Sequence, residues 1–196
     1  MSFCIGNTEF RIRFSLALFL CLIPLLPGRL LPLLVAAVIL HEIGHLCCLW
    51  RFHMPIRRVD FSLCGIKMIP KNIDKMCLGK TIILNLAGPL ANALSAGFAA
   101  LLWQGIPGAR FAAVSLTVGI VNLIPFGTTD GASILEAALA AYFAPAMTAK
   151  YLRAVRLCCV FIILSVTILQ WVKTGWHWYY LLGIGYLGLA LVEEPA

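Results

Sequence analysis

Leu30-Leu-Pro-Leu-Leu-Val35-Ala-Ala-Val-Ile-Leu40-His41-Glu42-Ile43-Gly44-His45-Leu-Cys-Cys-Leu-Trp50 is apolar from end to end, apart from three ionisable side chains within five positions. A helix needs about 20 apolar residues to cross the hydrocarbon of a bilayer, and this run supplies them. An ionisable group there costs about 2.5–3.5 kcal/mol unless it is paired or ligated, so its default reading is functional. His41 and His45 stand at i and i+4, which puts both imidazoles on one helix face where they can share a metal ion. Glu42, next to the first of them, can reach a water on such an ion and act as a general base and then acid. The competing reading of a single buried histidine, a satisfied core residue, does not account for three such groups together.

Five further apolar segments surround this run, at roughly 12–27, 78–103, 110–126, 155–172 and 176–194, each near the span length. The 196-residue chain is 62% hydrophobic and 12% charged, where soluble domains run about 45–50% and about 25%. Its mean hydropathy is +0.96. These values exclude an ordinary water-soluble domain. They predict an all-α membrane protein, a six-transmembrane-helix bundle forming one polytopic domain over 1–196, with C-terminal helices at about 155–194. The stretch 131–147, with Glu136, many alanines and Pro145, predicts one more helix, lying against the bundle or partly re-entrant. Residues 51–77 are different in kind, with basic side chains, Pro55 and Pro70. Apolar residues alternate there about Cys64-Gly65, which predicts a short re-entrant β-hairpin near 59–69; the competing reading is an irregular interfacial loop.

The net charge is +7, and the basic residues sit between the apolar runs. With the N-terminus in the cytoplasm, all but Arg29, Arg110 and Lys173 of the 15 Lys and Arg fall on inside segments. That bias predicts a multi-pass protein of the cell membrane with both termini cytoplasmic. No basic run is interleaved with aromatics, so the charge points to the lipid bilayer as partner and away from nucleic acid. The eight cysteines include no CxxC pair and read as small buried hydrophobes. Arg11 and Arg13 precede the first apolar run as in a signal peptide, but no small-residue cleavage site follows, so that run is expected to stay as an anchor.

Two imidazoles leave zinc short of a protein ligand. Asp60 and Asp74 lie in the basic segment, and Glu9, Glu193 and Glu194 lie near the ends, which leaves Asp130 and Glu136. Asp130 closes the stretch Asn122-Leu-Ile-Pro125-Phe-Gly-Thr-Thr-Asp130-Gly131, at the depth of His41 and His45 in the topology above. Its competing role is the N-cap of the helix that follows, and Glu136 stays open as the alternative ligand. His53 and His177 carry no such argument; His177 lies among Trp176, Trp178, Tyr179 and Tyr180, an interfacial aromatic belt.

Three motifs in order resemble the site-2 protease family of intramembrane zinc metalloproteases. They are His41-Glu42-Ile43-Gly44-His45, Ala87-Gly88-Pro89-Leu90-Ala91-Asn92, and Asn122-x-x-Pro125 through Asp130-Gly131. The resemblance spans roughly 30–135, the family's catalytic core. It implies Zn2+ held by His41, His45 and Asp130, with Glu42 as the catalytic residue. It also implies a place for Asn122 near the scissile carbonyl, as a group that orients or polarises it, and a strand edge at Gly65 for an extended substrate. Asn92 with Gly88 and Pro89 reads as structural, a place where small residues let helices approach. The chain departs from the family in Cys64-Gly65, where the family usually carries Gly-Gly, and in Thr128 and Gly131-Ala132 around the aspartate. None of these removes a ligand or the base. The compact chain resembles the branch that activates a sporulation sigma-factor precursor, which implies a bacterial setting.

The expected function is therefore hydrolysis of peptide bonds in membrane-spanning or membrane-tethered proteins near the cytoplasmic face. A membrane-tethered transcription-factor precursor or an anti-sigma factor would be such a partner. The alternative is a non-catalytic membrane metal-binding or scaffold protein.

Overall fold

A computed structural model describes residues 2–5, 8–12, 28, 30–62, 65–71, 76–103, 105–126 and 129–175. Two compact units divide the chain, Met1–Leu123 and Ile124–Ala196.

The first unit joins a three-helix core to a four-stranded sheet. Strands β1 (Ser2–Ile5) and β2 (Thr8–Ile12) lead to helix α1 (Leu31–Arg51). Strands β3 (Ile56–Ser62) and β4 (Gly65–Pro70) follow, then α2 (Leu78–Leu102) and α3 (Ile106–Leu123). Pro32 opens α1, where its missing N–H costs nothing. The end of α1 is fixed by two backbone bonds, from the His53 amide to the Trp50 carbonyl (3.0 Å) and from the Met54 amide to the Leu49 carbonyl (3.0 Å). His53 adopts φ 53° to make them. This is the paired-bond termination that usually recruits glycine, and it gives His53 a structural place at the end of α1.

The sheet order is β1-β2-β3-β4. β3 and β4 form the antiparallel hairpin expected near 59–69, running from Ile56↔Pro70 to Ser62↔Gly65. Leu63 and Cys64, at its tip, lie outside the described residues. β1 and β2 were not foreseen. They pair antiparallel with each other, and β2 then adds parallel to β3 in the register Glu9↔Arg58 to Ile12↔Phe61. Arg58 Nε donates to Glu9 Oε2 at 2.9 Å, and Thr8 Oγ1 donates to the Ile56 carbonyl at 3.1 Å.

α1, α2 and α3 pack pairwise around Ala37, Ala99 and Phe111. Small residues set the approach of α1 to α2. A β-carbon on Gly44 would strike the Ala87 carbonyl and come within 2.8 Å of the Ala91 β-carbon. The outside of the unit is apolar, with Ile39, Ile43, Leu46 and Trp50 exposed on α1 while its polar residues point inward. That inversion suits a lipid surround and no aqueous one.

The second unit contains α4 (Asp130–Ala140) and α5 (Pro145–Thr174), which pack on each other. The stretch 131–147 is thus divided. Pro145 starts α5, because a proline at the first turn loses no hydrogen bond. α5 consequently begins about a third of its length ahead of the expected 155–172. In its most apolar window only 6% is buried, as a lipid-facing helix requires.

Among the described residues, four helices are long and apolar enough to cross a membrane: α1, α2, α3 and α5. The expected spans at roughly 12–27 and 176–194 lie largely outside the described residues, as does His177.

Candidate metal centre

His41, Glu42 and His45 lie on the buried face of α1, at 4%, 9% and 8% exposure. The two imidazoles stand edge to face, with ring centroids 4.8 Å apart and planes at 78°. Their Nε2 atoms are 3.2 Å apart. Two nitrogens bound to one zinc ion at the usual bond length and a tetrahedral angle lie about 3.3 Å apart. The spacing therefore fits a shared ion.

Each ring is held from its other nitrogen. His45 Nδ1 lies 2.8 Å from the Leu84 carbonyl, which can only accept, so Nδ1 carries the proton and Nε2 keeps its lone pair. His41 Nδ1 faces the Asn92 side chain at 3.4 Å. Histidine ligands are commonly oriented in this way by a carbonyl or carboxylate behind them.

Gly88, on α2, forms the floor under the two rings. A β-carbon there would overlap His45 Nε2 and come within 2.7 Å of His41 Nε2. Only a residue without a side chain leaves room for the two facing Nε2 atoms and for an ion held by both. No cation is needed to explain the glycine's backbone geometry, so the close approach itself is the reason for glycine. The donor chemistry and the cradle both fit a divalent metal of the zinc type.

In the second unit, Asp130 is the first residue of α4 and is half-buried, with Oδ2 sealed from solvent. The capping role weighed for it belongs to its neighbour. Thr129 is the N-cap: its Oγ1 accepts from the Ala132 amide at 3.3 Å and donates to the Ile124 carbonyl at 2.6 Å. Thr129 is itself buried, which fixes the loop that carries Asp130. Glu136, the other acid considered, is exposed on α4. Six residues after Asp130, it stands about 120° around the helix from it.

Asn122 sits in the last turn of α3, where its Nδ2 donates to the Val118 carbonyl at 3.0 Å, within its own helix. Gly65 is the first residue of β4, opposite Ser62. Two residues matter more than their sequence suggested. Gly88 was legible only as a small residue, although its neighbour Pro89 marks the turn as unusual. Asn92 carried a signal of its own, a fully buried amide within an apolar helix.

A family model described as Peptidase family M50 matches residues 61–166. The solved structure of the site-2 protease from Methanocaldococcus jannaschii is similar in fold, with a TM-score of 0.72 and 21% sequence identity. That match covers 100% of this chain and 95% of the other. No curated protein sequence matches significantly.

Proposed function

The chain belongs to peptidase family M50, and from that premise we propose that it is a zinc-dependent intramembrane endopeptidase. The observation that carries the reading is the pair of Nε2 atoms 3.2 Å apart, with Gly88 clearing the space before them. The proposed ligands are His41, His45 and Asp130, two imidazoles and a carboxylate, the residue types of an open catalytic zinc site. Support for Asp130 comes from Thr129, which holds the cap role that was the competing reading of the aspartate.

Zinc, when bound, supplies Lewis-acid activation of water and of the scissile carbonyl. The protein's own groups do the rest. Glu42, buried beside His41, accepts a proton from the attacking water as its oxygen bonds to the carbonyl carbon. It returns that proton to the amine nitrogen as the C–N bond breaks. Asn122 has a second amide N–H besides the one spent on Val118, and that group would polarise or orient the carbonyl. The substrate must be extended to expose its peptide bond. Among the described residues β4 is the last strand in the sheet order, so Gly65 lies on an edge to which such a segment can add.

The proposed substrate is a membrane-spanning or membrane-tethered protein cut near the cytoplasmic face. A transcription-factor precursor or an anti-sigma factor held at a bacterial membrane is the kind of partner meant. The sheet bears on the first two of the six expected spans. β2 and β3 are hydrogen-bonded neighbours, so if the sheet lies at one face of the membrane the chain between them crosses an even number of times. α1 supplies one crossing, and the apolar run at roughly 12–27 is assigned the other.

The ligand assignment is tested by zinc content in detergent. Asp130→Ala should lose most of the metal and Glu136→Ala should keep it. The reverse pattern would transfer the third ligand to Glu136.

A further inference from the structure

Asn92 is fully buried at the meeting of three helices, in a place where every polar atom must find a partner. Two orientations of its amide are open on shape alone. In one, the oxygen faces the Ala37 carbonyl and the nitrogen faces the Gly119 amide, so both contacts are repulsive. In the other, the nitrogen donates to the Ala37 carbonyl at 2.9 Å and the oxygen accepts from the Gly119 amide at 3.2 Å. Only the second satisfies the chemistry of an amide. It has a consequence for the metal centre. The atom 3.4 Å from His41 Nδ1 is then the amide oxygen, an acceptor. At the long end of hydrogen-bond range, it selects the ring form with the proton on Nδ1. His41 Nε2 is left with its lone pair, as His45 Nε2 is by the Leu84 carbonyl, and two such lone pairs 3.2 Å apart repel unless a cation lies between them.

The rest of the contact set holds Asn92 still. Its backbone carbonyl accepts from Ser95 Oγ at 2.9 Å and from Ser115 Oγ at 3.1 Å, and the two hydroxyls lie 2.8 Å apart. Ser115 is as fully buried as Asn92. The amide nitrogen reaches α1 at Ala37, one turn before His41, at the carbonyl that the helix pattern pairs with the His41 amide. One side chain on α2 thus grips both the backbone turn that carries His41 and the ring of His41, and is itself anchored to α3. Spacing elements apart would need only a small apolar residue; an amide with both ends committed does more.

We propose that Asn92 is a positioning residue for the metal centre, holding His41 as the Nδ1–H form with Nε2 presented to the ion, and that Ser95 and Ser115 hold Asn92. The inference rests on the reading of His41 as a zinc ligand.

The test uses the full chain in detergent micelles with 15N-labelled histidine. The metal-free ring nitrogens report which one carries the proton, with His41→Gln assigning the signal. Zinc affinity is measured by competition with a chelator for the wild type, Asn92→Leu and Asn92→Asp. The expected result is a wild-type His41 protonated at Nδ1. Asn92→Leu should lose that preference and bind zinc about 10–100-fold more weakly, the range seen when such outer partners are removed. Asn92→Asp keeps an acceptor and should keep both the ring form and the affinity, even where its melting temperature falls. A residue that only packs helices would lower stability in both variants and leave zinc affinity in step with folding. A wild-type His41 protonated at Nε2 would overturn the proposal with no variant required, so a poorly folding Asn92→Leu does not shield it. Equal zinc affinity in all three proteins would also overturn it. A wild type that binds no zinc would instead remove the metal reading, while the ring signal would still decide what Asn92 does.

Discussion

Gly88 on α2 lies so close to His45 on α1 that a single added β-carbon would overlap the imidazole Nε2. The same carbon would stand 2.7 Å from His41 Nε2. The glycine is thus matched to the pair of lone pairs in front of it, and four consequences of this and neighbouring contacts can be measured.

Gly88→Ala should fold, since alanine suits a helix interior better than glycine. It should nevertheless lose zinc affinity by about 10–100-fold, the scale on which disturbed ligand orientation acts. Circular dichroism with zinc content separates the two effects. An alanine variant with normal zinc would mean that the space in front of Nε2 is not where the ion sits.

Gly44→Val tests the packing of α1 on α2. The added side chain meets the Ala87 carbonyl and the Ala91 β-carbon, and backbone cannot move aside as a flexible side chain would. Overpacking of this kind costs about 1–3 kcal/mol. The expected outcome is a lower unfolding temperature in detergent, with looser α1–α2 contact.

His53→Gly should stabilise the protein. A non-glycine residue in the left-handed region carries a cost of about 1 kcal/mol, and His53 has φ 53°. Thermal unfolding should shift upward with cleavage unchanged. Lost cleavage would show that this histidine has a role beyond ending α1.

The β2–β3 junction should weaken in acid. The Arg58 guanidinium, hydrogen-bonded to Glu9 and helped by Arg11, holds the Glu9 carboxyl below its ordinary value of 4.5. A depressed folded-state value means the contribution is present above the ordinary glutamate range and is lost as pH falls through the depressed value. Hydrogen-exchange protection of β2 amides should therefore drop below about pH 4.5. Glu9→Gln should remove that dependence, and protection that falls equally in this variant would locate the acid response elsewhere.

The parts of the fold that were legible in the sequence are those written in one local pattern. α1 follows from a long apolar run, and the shared face of His41 and His45 follows from helical spacing within it. The β3–β4 hairpin shows as alternation on either side of Gly65. β1 and β2 were missed because their reason lies 48 or more residues away, in the bonds from Thr8 to Ile56 and from Arg58 to Glu9. The Gly6-Asn7 pair between them is a hairpin signal in the sequence that could have raised the question. By its pattern Pro145 belongs to one continuous helix, but it starts the next, since proline at a first turn and proline inside a helix look alike without a boundary to fix them. At the site, the residue types are visible in the sequence but their orientation is not. The spacing of His41 and His45 says that both can face an ion; that Leu84 and Asn92 hold them from behind depends on α2, which no local pattern ties to α1.

The most direct test compares the wild type with Glu42→Gln, measuring bound zinc and cleavage of a single-span membrane substrate in detergent. The result expected is zinc in both proteins, with cleavage by the wild type alone, because the amide keeps the shape of the site but cannot take the proton from water. Cleavage by Glu42→Gln at the wild-type rate, or a wild type that cuts with no zinc bound, would contradict the mechanism.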